Sequence, residues 1–109
     1  MTNNLNSLII EGVVVGEPHY LEEHNVLDFT IEVARYYKTR DGNDATELSL
    51  FKVVAYGRMA GLPMEVGKQV RVVGRLRENK WTDGGVTHSE VQVVAEHIEV
   101  RGGKNGKAN

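Results

Sequence analysis

The sequence predicts an all-β domain of five strands, with one short helical turn between the third strand and the fourth. Stretches rich in β-branched residues alternate apolar and polar side chains, which is the period of a half-buried strand, and polar or glycine-containing turns separate these stretches. A chain of 109 residues is long enough for one domain with a modest core and too short for two such domains.

The first two strands lie in the acidic N-terminal third of the chain. Residues 5–16 are rich in β-branched side chains and contain Gly12 and Gly16, a pattern that predicts one long strand that bends. Pro18 is expected to end this strand. Residues 26–37 alternate between apolar and polar side chains and predict the second strand.

The third strand follows a loop predicted over residues 38–45. Residues 48–56 separate by parity into two sides, of which one suits the core. That core side consists of Phe51, Val53 and Ala55. The other side places a cation among apolar and aromatic groups, a pattern that favours a binding surface over a solvated one. Its members are Leu48, Leu50, Lys52, Val54 and Tyr56.

The remaining elements are a short helix and two strands. Residues 58–66 predict about one helical turn, since Gly61 and Pro63 prevent a longer helix. In the fourth strand, residues 69–78, the inward set is Val70, Val72 and Leu76, and the outward set is Arg71, Val73, Arg75 and Arg77. The fifth strand is predicted over residues 87–100, with an inner set of Val91, Val93 and Ala95.

This order of three strands, a short helix and two strands is the layout of an OB-fold, a five-stranded Greek-key barrel whose second and third strands commonly form the ligand face. The predicted domain covers residues 1–100. Residues 101–109 are glycine-rich and polar and predict a flexible tail.

Positive charge is concentrated in the middle of the chain. Residues 35–80 contain ten basic and five acidic residues, whereas the rest contains three basic and ten acidic residues. The net charge of −2 hides this separation. A mildly acidic protein with one basic patch that carries aromatic rings can bind a polyanion, because the local field attracts and holds the ligand.

Other functional classes lack support. The absence of cysteine excludes disulfides, thiolate metal sites and cysteine nucleophiles. The four histidines are scattered without metal-ligand spacing, so no catalytic residue, metal or cofactor is predicted and the chain is not expected to be an enzyme. Since the N-terminus lacks signal-peptide features and no apolar run approaches the roughly 20 residues of a membrane span, a cytoplasmic protein without membrane contact is expected.

Four segments match the strands of a known family. They are residues 5–12, 26–38, 51–58 and 67–81. Residues 51–58 (FKVVAYGR) look like the run Phe-Arg-Val-Val-Ala-Trp-Gly-Lys, and Trp81 takes the place of a tryptophan that trails the fourth strand. On these segments the chain resembles the bacterial-type single-stranded DNA-binding proteins, the SSB family. The resemblance implies a homo-oligomer that dimerises through the first strand, with a tetramer favoured and a dimer as the alternative.

The candidate site residues follow from this resemblance and from strand parity. The residues expected to stack on bases are Tyr37, Leu50, Tyr56 and Trp81. Tyr36 and Tyr37 point opposite ways in a regular strand, so only one of them is expected to stack, and Tyr37 is favoured. Those expected to contact phosphates are Arg35, Lys38, Lys52, Arg58, Arg71, Arg75, Arg77 and Lys80.

The resemblance implies sequence-independent binding of single-stranded DNA during replication, recombination and repair in the bacterial cytoplasm, in association with the nucleoid. The family's acidic tail ending in Pro-Phe, which recruits partner enzymes, has no counterpart in this sequence, which is expected either of a truncated member or of one that naturally has no such tail. An alternative is a primosome-type OB-fold adaptor, which acts mainly through protein contacts at replication restart. A dimeric assembly would favour this alternative.

Overall fold

The computed structural model describes residues 1–101, which form five β-strands and one short 3₁₀ helix. The strands are β1 (Leu8–Leu21), β2 (Val26–Lys38), β3 (Asp44–Tyr56), β4 (Gln69–Asp83) and β5 (Val86–Val100), and the 3₁₀ helix covers Gly57–Gly61. Residues 102–109 of the predicted tail lie outside the described residues. The division into a domain over residues 1–100 and a flexible tail therefore stays a prediction.

The five strands close into a barrel in the order β1-β2-β3-β5-β4, with β4 returning to pair with β1. The pairs are antiparallel except for β3 and β5, which run parallel and meet at Val53↔Val93 and Val54↔Val94. Together with the single helical turn between β3 and β4, this topology confirms the prediction of an all-β OB-fold barrel.

One apolar core fills the barrel, because alternate residues of each strand point inward. The core consists of Val14, Leu27, Phe29, Ile31, Val53, Ala55, Ala60, Val70, Val72, Val93, Ala95 and Ile98. Burying a side chain such as Phe29 or Ile31 contributes about 1.5–3 kcal/mol relative to leaving it exposed. With the inner positions committed to the core, the outward positions of the same strands are available for polar and aromatic groups.

The 3₁₀ helix covers one end of the barrel. Ala60 is buried in the core, and Met59 and Leu62 pack against it. Gly57 adopts a φ of +64°, a conformation that glycine adopts without strain, where the chain leaves β3. The helix ends at Gly61, because Leu62 precedes a proline and takes an extended conformation, and its single turn confirms the predicted length.

The prediction that Pro18 ends the first strand is wrong. β1 continues to Leu21 and pairs with β2 on both sides of an irregularity between Val15 and His19. Pro18 is tolerated because it lies within this irregularity, where no ladder hydrogen bond is needed. The predicted bend is present at the same place, and Gly16, with a φ of +70°, lies at its start.

The loop predicted over residues 38–45 is shorter than expected. β2 and β3 pair as far as Lys38↔Asp44, which leaves a compact turn over residues 39–43. Backbone hydrogen bonds close this turn, from the Thr39 amide to the Asn43 carbonyl at 2.8 Å and from the Gly42 amide to the Thr39 carbonyl at 2.9 Å. The two strands therefore form a continuous hairpin that extends beyond the barrel.

Three residues expected in the core are exposed instead. Leu76 and Val91 share the inward parity of their strands but are 46% and 62% exposed, and Phe51 is 40% exposed. The reason is the length of the hairpins. The β1–β4 pairing ends at Leu8↔Gly74 and the β3–β5 pairing at Val93, so residues 76–91 of β4 and β5 have no sheet facing them. We call this extension of the β4–β5 hairpin the β4–β5 arm.

Candidate nucleic-acid interface

The outer face of the sheet formed by β3, β5 and β4 carries most of the predicted site residues. On β3, Leu50, Lys52 and Tyr56 alternate with the buried Val53 and Ala55, so the first three point away from the core. On β4, the positions that alternate with buried Val70 and Val72 point the same way. They are Arg71, Val73, Arg75, Arg77 and Trp81. The parity predicted for both strands is therefore confirmed at these positions.

β5 lies between β3 and β4 and joins their outer side chains. Register pairs Arg77 with Gln92, and Asn79 with Glu90. Lys52 on β3 reaches Glu90 on β5, with 3.9 Å between Lys52 Nζ and Glu90 Oε2. The close packing of the strands is visible at Gly74, where an added Cβ would overlap the Val94 carbonyl group. Any larger residue at this position would push β4 away from β5.

Five side chains form a connected group at the centre of this face, which we call the central cluster: Lys52, Tyr56, Arg77, Glu90 and Gln92. Arg77 Nη2 donates to Gln92 Oε1 at 2.9 Å, and Gln92 Nε2 donates to Glu90 Oε1 at 3.4 Å. The guanidinium of Arg77 also lies 5.6 Å from the centroid of the Tyr56 ring. This separation allows a cation–π contact.

The two aromatic rings of this face are each supported from one side. Tyr56 rests on the Arg77 guanidinium and is 39% exposed. Trp81 stacks on His88 of β5, with 5.4 Å between ring centroids and 22° between ring planes, and is 45% exposed. A ring held on one side and open to solvent elsewhere offers a flat surface on which a base can stack without a large loss of side-chain entropy.

The structure places Tyr36, and not Tyr37, on the same face as Leu50 and Tyr56. The β2–β3 ladder runs without a register shift, so residues alternate regularly from Val26↔Tyr56 to Lys38↔Asp44. Tyr37 lies on the opposite face of the hairpin together with Arg35, whose guanidinium is 4.9 Å from the Tyr37 ring centroid. The assignment of stacking to Tyr37 stays a prediction, and the register favours its neighbour.

Most of the cations predicted to contact phosphates are already paired with carboxylates. The nitrogen–oxygen distances are 3.6 Å for Arg35–Glu47, 2.7 Å for Lys38–Asp44, 3.9 Å for Lys52–Glu90, 2.6 Å for Arg71–Glu11, 3.7 Å for Arg75–Glu96 and 3.6 Å for Lys80–Glu78. All of these pairs are at least partly exposed, and such pairs typically contribute 0–1 kcal/mol. A ligand phosphate can therefore compete for these cations.

Two of the cations predicted to contact phosphates are not paired with a carboxylate in the described residues. Within residues 1–101, neither Arg58 nor Arg77 has a carboxylate oxygen within 4.0 Å. Arg58 is exposed on the 3₁₀ helix, and Arg77 belongs to the central cluster. Two other predicted cations point away from the outer face. Arg35 lies on the opposite side of the β2–β3 hairpin, and Lys80 lies on the opposite side of the β4–β5 arm.

Sequence reasoning did not identify Gln92, Glu90 and His88 as parts of this face. Gln92 is only 6% exposed, an unusual position for an amide, and its hydrogen bonds to Arg77 and Glu90 satisfy it. The available signal was the alternation of polar Gln92 with apolar Val91 and Val93. Its meaning depends on the pairing of β5 with both β3 and β4, which the sequence does not specify.

Comparison with known proteins agrees with this arrangement. Residues 5–101 match the Single-strand binding protein family. The chain belongs to this family. A curated relative, the single-stranded DNA-binding protein of Aquifex aeolicus, is 35% identical over 102 residues, which cover 88% of this chain and 69% of the relative. Membership in a family of non-enzymatic DNA-binding proteins also confirms the prediction that the chain is not an enzyme.

Solved structures of the same kind share the fold. The single-stranded DNA-binding protein from Thermus aquaticus superimposes with a TM-score of 0.74 at 28% identity, covering 93% of this chain and 52% of that one. A Plasmodium falciparum SSB in complex with ssDNA gives a TM-score of 0.74 at 17% identity, covering 92% of this chain and 96% of that one. The second likeness is evidence for the fold alone.

No helix within residues 1–101 is long and apolar enough to cross a membrane. No group of three or more His, Asp or Glu side chains among these residues is arranged to hold a metal ion.

Proposed function

We propose that this protein binds single-stranded DNA with little dependence on base sequence. The proposal rests mainly on the outer face, which carries the exposed rings of Tyr56 and Trp81 together with the cations Arg77 and Lys52. Family membership supports it, as do the relatives, whose names describe single-stranded DNA-binding proteins.

Two effects would act together in this binding. Aromatic rings stack on bases with about 1 to 3 kcal/mol each, and sequence matters little because every base has a π-face. Cations neutralise phosphates and release counterions, so the affinity falls with salt by about 0.7 in the log–log slope for each phosphate contacted. Duplex DNA keeps its bases stacked inside the helix, so only the second effect would remain for duplex.

The site residues are ranked by their surroundings. The proposed stacking residues are Tyr56 and Trp81. Leu50 would add an apolar contact without a π-face, and Tyr36 is favoured over Tyr37. Among the cations, Arg77 and Arg58 come first because they have no carboxylate close by in the described residues. Lys52, Arg75 and Lys38 follow, since a phosphate must displace their carboxylates, and Arg35, Lys80 and Arg71 come last.

In the cell this activity would protect exposed strands during replication, recombination and repair. We propose a cytoplasmic location with the nucleoid and a homo-oligomer, with a tetramer favoured over a dimer. The exposed Ile9 on β1 is the kind of apolar residue that such an assembly would cover.

The test is a competition experiment with a fluorescently labelled oligo-dT followed by anisotropy. Unlabelled oligo-dT and duplex DNA of the same length are added as competitors at low and at moderate salt. The proposal expects oligo-dT to displace the label at far lower concentration than duplex, with the larger difference at moderate salt. Equal displacement by both competitors would reduce the interface to a basic patch and favour the adaptor function.

A further inference from the structure

Glu90 is the acidic residue of the central cluster, in the middle of a face whose proposed ligand is a polyanion. It lies on β5, and its Oε2 is 3.9 Å from Lys52 Nζ, with side-chain exposures of 38% for Glu90 and 37% for Lys52. Its other oxygen accepts a hydrogen bond from Gln92. The carboxylate is therefore bound on both sides by groups that belong to the interface.

The same carboxylate is connected to the stacking surface. Gln92, nearly buried, links Glu90 to Arg77 by hydrogen bonds of 3.4 Å and 2.9 Å. Arg77 in turn supports the Tyr56 ring. Glu90 thus stands at one end of a series of contacts that includes a lysine, an arginine and an aromatic ring, all proposed to contact DNA.

We infer that Glu90 competes with the DNA backbone for Lys52 and thereby limits the affinity of the central cluster for single strands. This inference rests on the proposed function. A phosphate that approaches Lys52 must displace a carboxylate at 3.9 Å, and it then remains close to a like charge. Glu90 is a specificity-determining residue in this sense, because it weakens the electrostatic contact and leaves base stacking to supply most of the selectivity.

The consequence concerns the balance between single-stranded and duplex DNA. Phosphate contacts are available to both forms, whereas stacking is available to single strands alone. Each phosphate contact releases more counterions from duplex than from a single strand, about 0.9 against 0.7 in the log–log slope, so a carboxylate that weakens the contact lowers the duplex affinity by the larger factor. Removing the charge of Glu90 should strengthen binding to both forms and reduce the preference for single strands.

The variant Glu90→Gln tests this inference because the amide has nearly the same shape and its oxygen still accepts from Gln92. The charge is removed and the positioning of Gln92 and Arg77 is retained. The matched control is Glu23→Gln, an exposed residue of the turn between β1 and β2, which changes the net charge of the protein equally away from the interface. Both proteins are titrated with labelled oligo-dT and with duplex over a series of salt concentrations.

We expect Glu90→Gln to bind oligo-dT about two- to fivefold more tightly than the wild type at low salt, the size typical of an exposed ion pair. The salt dependence should become steeper, by up to about 0.7 in the log–log slope. The difference should vanish near 1 M salt, where the screening length is about 3 Å. Duplex binding should gain a larger factor than oligo-dT binding, and Glu23→Gln should match the wild type.

A second background isolates the role of Lys52. In Lys52→Gln protein, the gain caused by Glu90→Gln should fall to less than half, because the cation for which Glu90 competes is gone. A gain of full size in this background, an unchanged or weaker affinity of Glu90→Gln, or an equal gain in Glu23→Gln would each overturn the inference. If the wild type itself does not prefer oligo-dT to duplex, the proposed function fails and the inference with it.

Discussion

Arg71 and Arg77 lie on the same outer face of β4, six residues apart, yet their surroundings differ. Arg71 Nε is 2.6 Å from Glu11 of β1, and its Nη1 is 3.8 Å from Glu99 of β5. Arg77 faces the amide of Gln92 and the ring of Tyr56 instead. The first guanidinium is neutralised by two carboxylates, and the second keeps its charge beside an aromatic ring.

The number of cations on a strand is therefore a poor guide to the positive charge that the strand offers a ligand. Arg71, Arg75 and Arg77 are equivalent in the sequence, because each occupies an outward position of the same strand. The surrounding strands decide the difference. At the start of β4 the neighbouring strands β1 and β5 contribute Glu11 and Glu99. Further along, β5 contributes Gln92, and β3 on its far side contributes Tyr56. An ion-paired cation gains less from a phosphate than one without a carboxylate nearby.

The largest expected effect comes from the two aromatic rings of the outer face, Tyr56 and Trp81. Tyr56→Ala and Trp81→Ala should each weaken oligo-dT binding by about 5- to 150-fold, which corresponds to 1–3 kcal/mol of lost stacking. Neither ring is in the core, so the melting temperature should stay close to that of the wild type. Titration of labelled oligo-dT measures the affinity, and circular dichroism measures the melting.

The matched control for these variants is Tyr20→Ala. Tyr20 is also exposed, but it lies on β1 in the acidic part of the chain, where its hydroxyl donates to Asn25 at 3.0 Å. Its removal should leave the affinity unchanged. Unchanged affinity in both Tyr56→Ala and Trp81→Ala would rule out the assignment of stacking to this face.

The second expected effect is on the salt dependence of binding, and it distinguishes Arg77 from Arg71. Arg77→Ala should lower the log–log salt slope of oligo-dT binding by about 0.7, as expected for one lost phosphate contact, whereas Arg71→Ala should leave the slope within experimental error. Binding isotherms over a range of salt concentrations provide the measurement. Equal slopes in the two variants would show that the carboxylates around Arg71 do not matter for binding.

The smallest effect concerns the neighbouring tyrosines of β2. Tyr36→Ala should weaken oligo-dT binding by about fivefold, the lower limit for a stacking ring, because Tyr36 shares the face of Leu50 and Tyr56 and is highly exposed. Tyr37→Ala should have no effect, since its ring lies on the opposite face with Arg35. The same titration decides between them, and the reverse order of effects would restore Tyr37 as the stacking residue.

Much of the barrel was predictable because the strands follow simple patterns. Alternation identified the inner sides of β2 and β3 around Phe29 and Val53, and the polar loops marked where strands end. Leu76 and Val91 were misjudged because parity indicates which side a residue faces and not whether another layer covers it. Pro18 was misjudged because an irregular step in β1 accommodates it, which sequence patterns do not reveal.

The candidate site was predictable in part. Motifs that resemble the family, together with the alternation of side chains along each β-strand, predicted that Lys52, Tyr56 and Trp81 belong to the candidate site. The partners of these residues come from other strands, as with Glu90 beside Lys52 and His88 beneath Trp81. Contacts of this kind depend on register across the sheet. The choice between Tyr36 and Tyr37 also needed register, because an error of one residue reverses the face.

The most direct test of single-strand stacking is a fluorescence titration of the wild-type protein with oligo-dT, since Trp81 is the one tryptophan in the sequence. The signal therefore reports the environment of that ring alone. We predict strong saturable quenching that persists in the presence of duplex of equal length, because a thymine stacks on the exposed side of Trp81. Binding without any change in Trp81 fluorescence, or quenching that duplex abolishes at equal concentration, would contradict it.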